Sequence, residues 1–248
     1  MSAAAPNPLR RSAEEGAMRA LCVAELRTRY PDARIIHELP LRYSSNRIDL
    51  AAVTPDKIVS LEIKSSRDVA DRLEDQIRAF IPVSHRIIVA LAPKWNPEPE
   101  YEEVPVRGAF GGWVYKKKNE TAVQAALCRV KHSSMIETWT VSYEAGTIKG
   151  IENPREYFYP WPFRMLDMLW VAELRDVAAR HRVCRDKRAP HWELVTACCD
   201  VMTSREIVTA VCRALRERDA FDKLSDPPIR AEPRAVIPAP AMQEALAI

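Results

Sequence analysis

The sequence predicts a mixed α/β fold, a central sheet flanked by helices, with a smaller all-helical region toward its C-terminal end. Three observations carry this. Residues Arg47 to Leu91 follow the order strand, turn, strand, helix, strand; a capped amphipathic helix stands ahead of them; and beyond Met165 the apolar residues recur at helical spacing. The chain has 248 residues, 47% hydrophobic and 29% charged, sufficient for one domain of ordinary size and a smaller one. The expected division is a disordered N-terminus over 1–11, an α/β domain over 12–150, an aromatic and proline-rich linker over 151–164, a helical module over 165–224 and a disordered tail over 225–248.

Ser12 is placed to cap a helix running to about Arg29, with Glu14 and Glu15 in the first turn, where carboxylates complement the helix dipole. Met18, Leu21, Cys22 and Leu26 form its apolar stripe, and Pro31-Asp32 ends it. Ile35 to Leu41 reads as an edge strand. Arg47-Ile48-Asp49-Leu50 opens the next one, Thr54-Pro55-Asp56-Lys57 makes a turn in which proline fixes φ, and Ile58 to Lys64 returns. Alternation puts Glu62 and Lys64 on one face of the returning strand and Leu61 and Ile63 on the other. In the helix that follows, Asp68, Arg72, Gln76 and Phe80 are spaced by four and share a face. Ile87 to Leu91 is an apolar, buried strand.

Prolines 93, 97, 99 and 105 exclude a continuous helix after it. Thr138 to Tyr143 reads as a strand ending at the Ala145-Gly146 turn. The aromatic stretch Tyr157 to Phe163 suits either stacking on unpaired bases or packing of a linker onto a domain. Helical patterns then cover Met165 to His181, His191 to Cys199, and Arg205 to about Arg218 with Ser204 as cap.

The hairpin carries the chemistry. It can bring Asp49 beside Glu62 with Lys64 on the same side; two carboxylates converging near a core are costly unless something binds there, for which a divalent cation is the usual answer, and a solvated hairpin face with an incidental salt bridge is the alternative. Oxygen ligands suit Mg²⁺ or Mn²⁺, which would stabilise charge on a phosphate while Lys64 serves an attacking water. Asp49 followed by Glu62-Ile63-Lys64 resembles the motif of the PD-(D/E)XK nuclease superfamily, with Ile48 where the family name has proline. Gln76-Ile77-Arg78-Ala79-Phe80 is similar to the Q-x-x-x-Y element of RecB-type members, with Phe80 in place of tyrosine.

The resemblance implies a restriction-endonuclease-like core and a Mg²⁺- or Mn²⁺-dependent deoxyribonuclease. Its catalytic residues would be Asp49, Glu62, Lys64 and Gln76, and its metal ligands Asp49, Glu62 and the Ile63 carbonyl. Resolvase-like members add a glutamate from the first helix, for which Glu14 stands ahead of Glu15; Glu38, on the edge strand, is a second candidate for that extra ligand. The resemblance also implies that a late strand within Val104 to Tyr115 completes the sheet, and that the protein acts on DNA, in many relatives as a homodimer. A chain that keeps such a fold without catalysis, as a DNA-binding or assembly protein, is the alternative. In a third reading the helical region binds a partner and the first domain is its scaffold.

Net charge is only +3, so basic residues count by position rather than in bulk. Arg72, the triplet Lys116, Lys117 and Lys118, and the loop residues Arg182, Arg185, Lys187 and Arg188 are candidate phosphate contacts; a solvated turn serves equally for the triplet. The helices around the 182–188 loop resemble SAP-type DNA-binding modules. Six cysteines without a C-x-x-C pair fit buried thiols in a reducing cytoplasm. No membrane-length apolar run, secretory signal or G-x-x-x-x-G-K-[ST] loop occurs, so neither a membrane nor a nucleotide cofactor is expected.

Overall fold

Ser12 accepts the Glu15 N–H at 3.1 Å and so starts α1 (Ala13–Arg29), whose buried stripe of Met18, Arg19, Cys22 and Leu26 lies on a sheet. The computed structural model describes residues 12–106, 112–131, 133–151, 158–183 and 188–230, apart from the side chains of 104–106, 112, 114 and 116. After α1 come β1 (Arg34–Pro40), β2 (Arg47–Val53), β3 (Ile58–Lys64), α2 (Leu73–Phe80) and β4 (Arg86–Leu91). A ribbon of β5 (Tyr101–Val106) and β6 (Gly112–Lys117), then α3 (Ala122–Cys128), β7 (Ile136–Ser142) and β8 (Thr147–Lys149), follow. The helices α4 (Pro162–Asp167), α5 (Val171–Arg180), α6 (His191–Val201) and α7 (Ser204–Glu217) close the order.

The sheet runs β1-β2-β3-β4-β7-β8, antiparallel at both ends and parallel where β3, β4 and β7 pair. Its two faces bury separate apolar clusters. One, under α1, gathers Met18, Leu26, Leu50, Leu61, Ile88 and Trp139. The other joins Ile48, Val53, Val89, Ile77 and Phe80 to Met165, Leu174, Leu194, Ile207 and Leu215, so the C-terminal helices and the sheet share one continuous core. This is the mixed α/β architecture with a helical C-terminal region that the sequence predicts.

The expected late strand is corrected. Among the described residues, 104–106 and 112–115 do not join the main sheet: β5 and β6 pair with each other, and β7 lies beside β4. The physical reason lies in the side chains. In β7 every second residue is buried, Glu137, Trp139 and Val141, whereas Tyr101, Trp113 and Tyr115 on the ribbon are largely exposed. The helix after β3 also starts later than its spacing suggests. Asp68 Oδ2 accepts from Ser65 N at 2.6 Å and Ser65 Oγ at 2.8 Å, holding 65–68 as a turn, so Asp68 does not share a helix face with Gln76. Thr203, rather than Ser204, caps α7 in a capping box with Glu206.

The segment before residue 231 is docked. Arg34, buried, donates to the carbonyls of Leu215, Arg216 and Arg218 at 2.9, 3.0 and 2.6 Å, satisfying the end of α7. Asp226 N donates to the Ile35 carbonyl, Ile35 N to Asp226 Oδ2 and His37 N to Ser225 Oγ, so 225 and 226 line the edge of β1 where the sequence suggests a loose tail. Residues 1–11 and 231–248, also expected to be disordered, lie outside the described residues.

Candidate active site

Pairing of β2 with β3 ends at Leu50 and Leu61, so Asp49 and Glu62 face each other just past the last rung. On the other flank the β1–β2 register puts Glu38 opposite Asp49, between the His37–Leu50 and Leu39–Ile48 pairs. Glu38 has φ 54°, a left-handed conformation rare for a non-glycine residue. It reverses the strand's alternation there: Ile36 and Leu39, three apart, enter the same core cluster. The hairpin is therefore bent where its acids lie.

Two polar groups meet at this bend. In the first, Glu62 Oε1 pairs with Lys64 Nζ at 2.9 Å and accepts from Gln76 Nε2 at 2.6 Å, while Lys64 Nζ donates to Gln76 Oε1 at 2.8 Å. One amide from α2 thus ties acid to lysine. Glu62 is 2% exposed, and its Oε2 is buried with no hydrogen-bond partner. In the second, Arg19 reaches up from α1. Its Nη1 donates to the Asp49 carbonyl at 2.7 Å, and its Nη2 lies 3.2 Å from Glu15, 3.2 Å from Glu38 and 3.3 Å from Asp49 Oδ1. Asp49 Oδ2 accepts the Ile63 N–H at 2.8 Å.

Burial pushes the Glu62 carboxyl up to about 8, the Asp49 charge pushes the same way, and Lys64 and Gln76 pull back. Burial also raises Asp49, against Arg19 and the Ile63 N–H. Burial opposes the Arg19 charge, but Asp49, Glu38 and Glu15 outweigh it and raise its pKa.

Glu15, Glu38 and Asp49 gather on Arg19, and Glu62 pairs with Lys64. An orphaned carboxylate oxygen at 2% exposure is the kind of group a hard cation satisfies. Among the described residues no group of three or more His, Cys, Asp or Glu side chains is arranged to hold an ion. The side-chain ligands on offer are thus Asp49 and Glu62. The Ile63 carbonyl lies on the same strand edge as its N–H, beyond the last β2–β3 pair, and could join them.

Asp49, Glu62, Lys64 and Gln76 are brought together. Glu14 is not part of the group: it accepts from Ser66 N at 3.0 Å and from Ser66 Oγ, while Glu15 and Glu38 approach Asp49 through Arg19. Arg72 is exposed and reaches Asn46 at 3.5 Å. Lys117 and Lys118 lie on and just after the ribbon; Arg182, with φ 56°, and Arg188 are exposed beyond α5. The Lys116 side chain, Arg185 and Lys187 lie outside the described residues.

Sequence reasoning missed Arg19. The available signal was a cation inside the apolar stripe of Met18 and Cys22, one turn after Glu15.

A mixed α/β protein with a buried acid and lysine on its central hairpin, bridged by a glutamine of the following helix, is the class this geometry defines. Residues 10–98, from α1 through β4 and including the whole cluster, match the family model described as bacteriophage P4 protein cII. No curated protein and no solved structure matches the chain. Among the described residues no helix is long and apolar enough to cross a membrane.

Proposed function

We propose that the protein is a Mg²⁺- or Mn²⁺-dependent nuclease of the PD-(D/E)XK kind, hydrolysing DNA phosphodiester bonds in phage-related DNA processing. The observation that carries this reading is the link of Glu62 and Lys64, two apart on β3, through Gln76 of α2, with Asp49 across the bend. The match to a phage protein family over these same elements supports its setting.

Asp49 and Glu62 would hold the cation, which supplies charge stabilisation at the phosphate when bound. Gln76 fixes the Lys64 ammonium and the Glu62 carboxylate relative to each other. Two of the three Lys64 N–H groups point to Glu62 and Gln76, and the third is left to orient a water or hold a phosphate oxygen. Asp49 keeps 22% of its side-chain surface exposed, against 3% for Glu62, so the group opens to solvent on the Asp49 side. Arg72, Lys117, Lys118, Arg182 and Arg188 are proposed phosphate contacts along the bound strand.

Linear, nicked, branched and single-stranded DNAs, with RNA as comparison, test this with and without Mn²⁺. Glu62→Ala and Lys64→Ala are expected to lose cleavage by about a hundredfold or more while retaining DNA binding. Cleavage by Lys64→Ala at the parent's rate would overturn the assignment.

One observation favours a second reading, a DNA-binding or assembly protein without catalysis. Glu62, Lys64 and Gln76 bond to each other in a buried setting, and Arg19 already covers Asp49. That reading predicts DNA binding indifferent to Mn²⁺ and no cleavage of any substrate in the panel.

A further inference from the structure

The register of β5 on β6 sorts the side chains of the ribbon. Tyr101 lies opposite Lys117, Glu103 opposite Tyr115 and Pro105 opposite Trp113, so these residues share one face. On it Tyr101, Trp113 and Tyr115 are 62%, 68% and 72% exposed. Rings of this size left open to water on one face mark a contact surface. The Tyr115 hydroxyl bonds to Glu103 across the ribbon, which orients that ring.

The ribbon springs from the end of the sheet that carries the acid–lysine group. Lys64 and Leu91 are partners at the ends of β3 and β4, and Ala92 N donates to the Lys64 carbonyl at 2.9 Å. The chain then makes one tight turn at Pro93–Trp95. Trp95 Nε1 donates to the Ser65 carbonyl at 2.9 Å, and Thr121 Oγ1 donates to the Trp95 carbonyl at 2.7 Å. The departure into the ribbon and the return from it are thus clipped together one residue past Lys64. Cations stand at this root: Lys94 Nζ lies 4.0 Å over the Trp95 ring, and Lys117 and Lys118 end the ribbon.

We propose that the aromatic face of the ribbon stacks on the unpaired bases of a single-stranded DNA segment and leads that strand toward Lys64. The proposal rests on the DNA-directed reading above and narrows its substrate to DNA with a single-stranded part. Along the face the charges of Glu103 and Lys117 offset each other, which suits bases better than the phosphates of a duplex. Trp113 and Tyr115 stand about 7 Å apart along β6, the span of one nucleotide in an extended strand. Among the described side chains of that face none is aliphatic, so it offers planar rings and charges rather than an apolar bed for a protein partner.

Binding in EDTA, where nothing is cut, tests this on the full chain by fluorescence anisotropy. The probes are an oligothymidine, a strand of the same length made of abasic sites, and a blunt duplex. The parent is expected to bind the oligothymidine about tenfold more tightly than the abasic strand. Trp113→Ala with Tyr115→Ala is expected to weaken oligothymidine binding about tenfold or more and to leave the other two probes and the unfolding midpoint unchanged, because both rings are exposed. Trp113→Phe keeps a ring and is expected to bind like the parent. An abasic strand bound as tightly as oligothymidine, or a double variant that binds oligothymidine like the parent, would overturn the inference. So would a parent dimer that the double variant loses in sedimentation while its oligothymidine binding stays unchanged, since the face would then join two copies of the chain. Stacking by a protein that cuts nothing with Mn²⁺ would sustain the ribbon's role and remove the nuclease reading; cleavage without any contribution from the rings would do the reverse.

Discussion

Two glutamates are buried in the same sheet, and they are wired differently. Glu62 on β3 and Glu137 on β7 are 2% and 4% exposed. Glu137 Oε1 accepts from Arg29 at 2.6 Å and from the Trp139 indole at 2.6 Å, and its Oε2 lies 3.4 Å from Arg29 and 3.7 Å from Arg86. Both of its oxygens are engaged by fixed donors, and Arg29 also stacks on Tyr30 and Trp139. Glu62 has both donors on one oxygen and none on the other. A fully satisfied buried carboxylate holds structure together, whereas Glu62 keeps one buried oxygen without a donor.

The largest effect that could break this comparison is on stability. Glu137→Ala strips two arginines and an indole of their common acceptor and is expected to destabilise by about 3–5 kcal/mol in denaturant unfolding. Glu62→Gln removes a charge that burial disfavours and is expected to leave the fold as stable as before or more so at neutral pH. Equal losses in the two variants would mean that Glu62 is as structural as Glu137.

A pH series sharpens the contrast. A carboxyl whose pKa is raised from 4.5 to about 8 on folding keeps its proton in the native state. Its destabilising effect is therefore absent below pH 4.5, grows as pH rises toward 8, and then levels off. Stability of the metal-free parent is expected to fall across that window, and Glu62→Gln is expected to flatten the fall. A profile unchanged by the substitution would show that Glu62 does not carry the proton.

The smallest expected effect is stabilisation by the cation, about 2–3 kcal/mol at a hundredfold excess over Kd. Thermal unfolding with Mn²⁺ is expected to show it in the parent and not in Glu62→Gln. A shift of the same size in both would move the ion away from Glu62.

The hairpin and the meeting of Glu62, Lys64 and Gln76 on it were legible in the sequence because alternation and spacing of four are local properties. Glu62 and Lys64 share a face by strand period, and Gln76 reaches them through the packing of α2. Nothing local says that a cation in the first helix is buried against three acids, so Arg19 was hidden. Glu14 and Glu15 are adjacent in sequence, and only the rotation of α1 on the sheet sends Glu15 to Arg19 and Glu14 to Ser66. That β7 joins the main sheet while the ribbon stays apart from it was hidden for the same reason. Both segments look like strands, and which one pairs with β4 is decided by long-range burial.

The sheet's first strand has consequences for assembly. With Ser225 and Asp226 bonded to Ile35 and His37, the chain occupies part of the open border of β1, where another protomer would otherwise add a strand. The opposite border ends in β8, only three residues long. Cutting the chain ahead of Ser225 is expected to bare the β1 edge at Ile35 and His37.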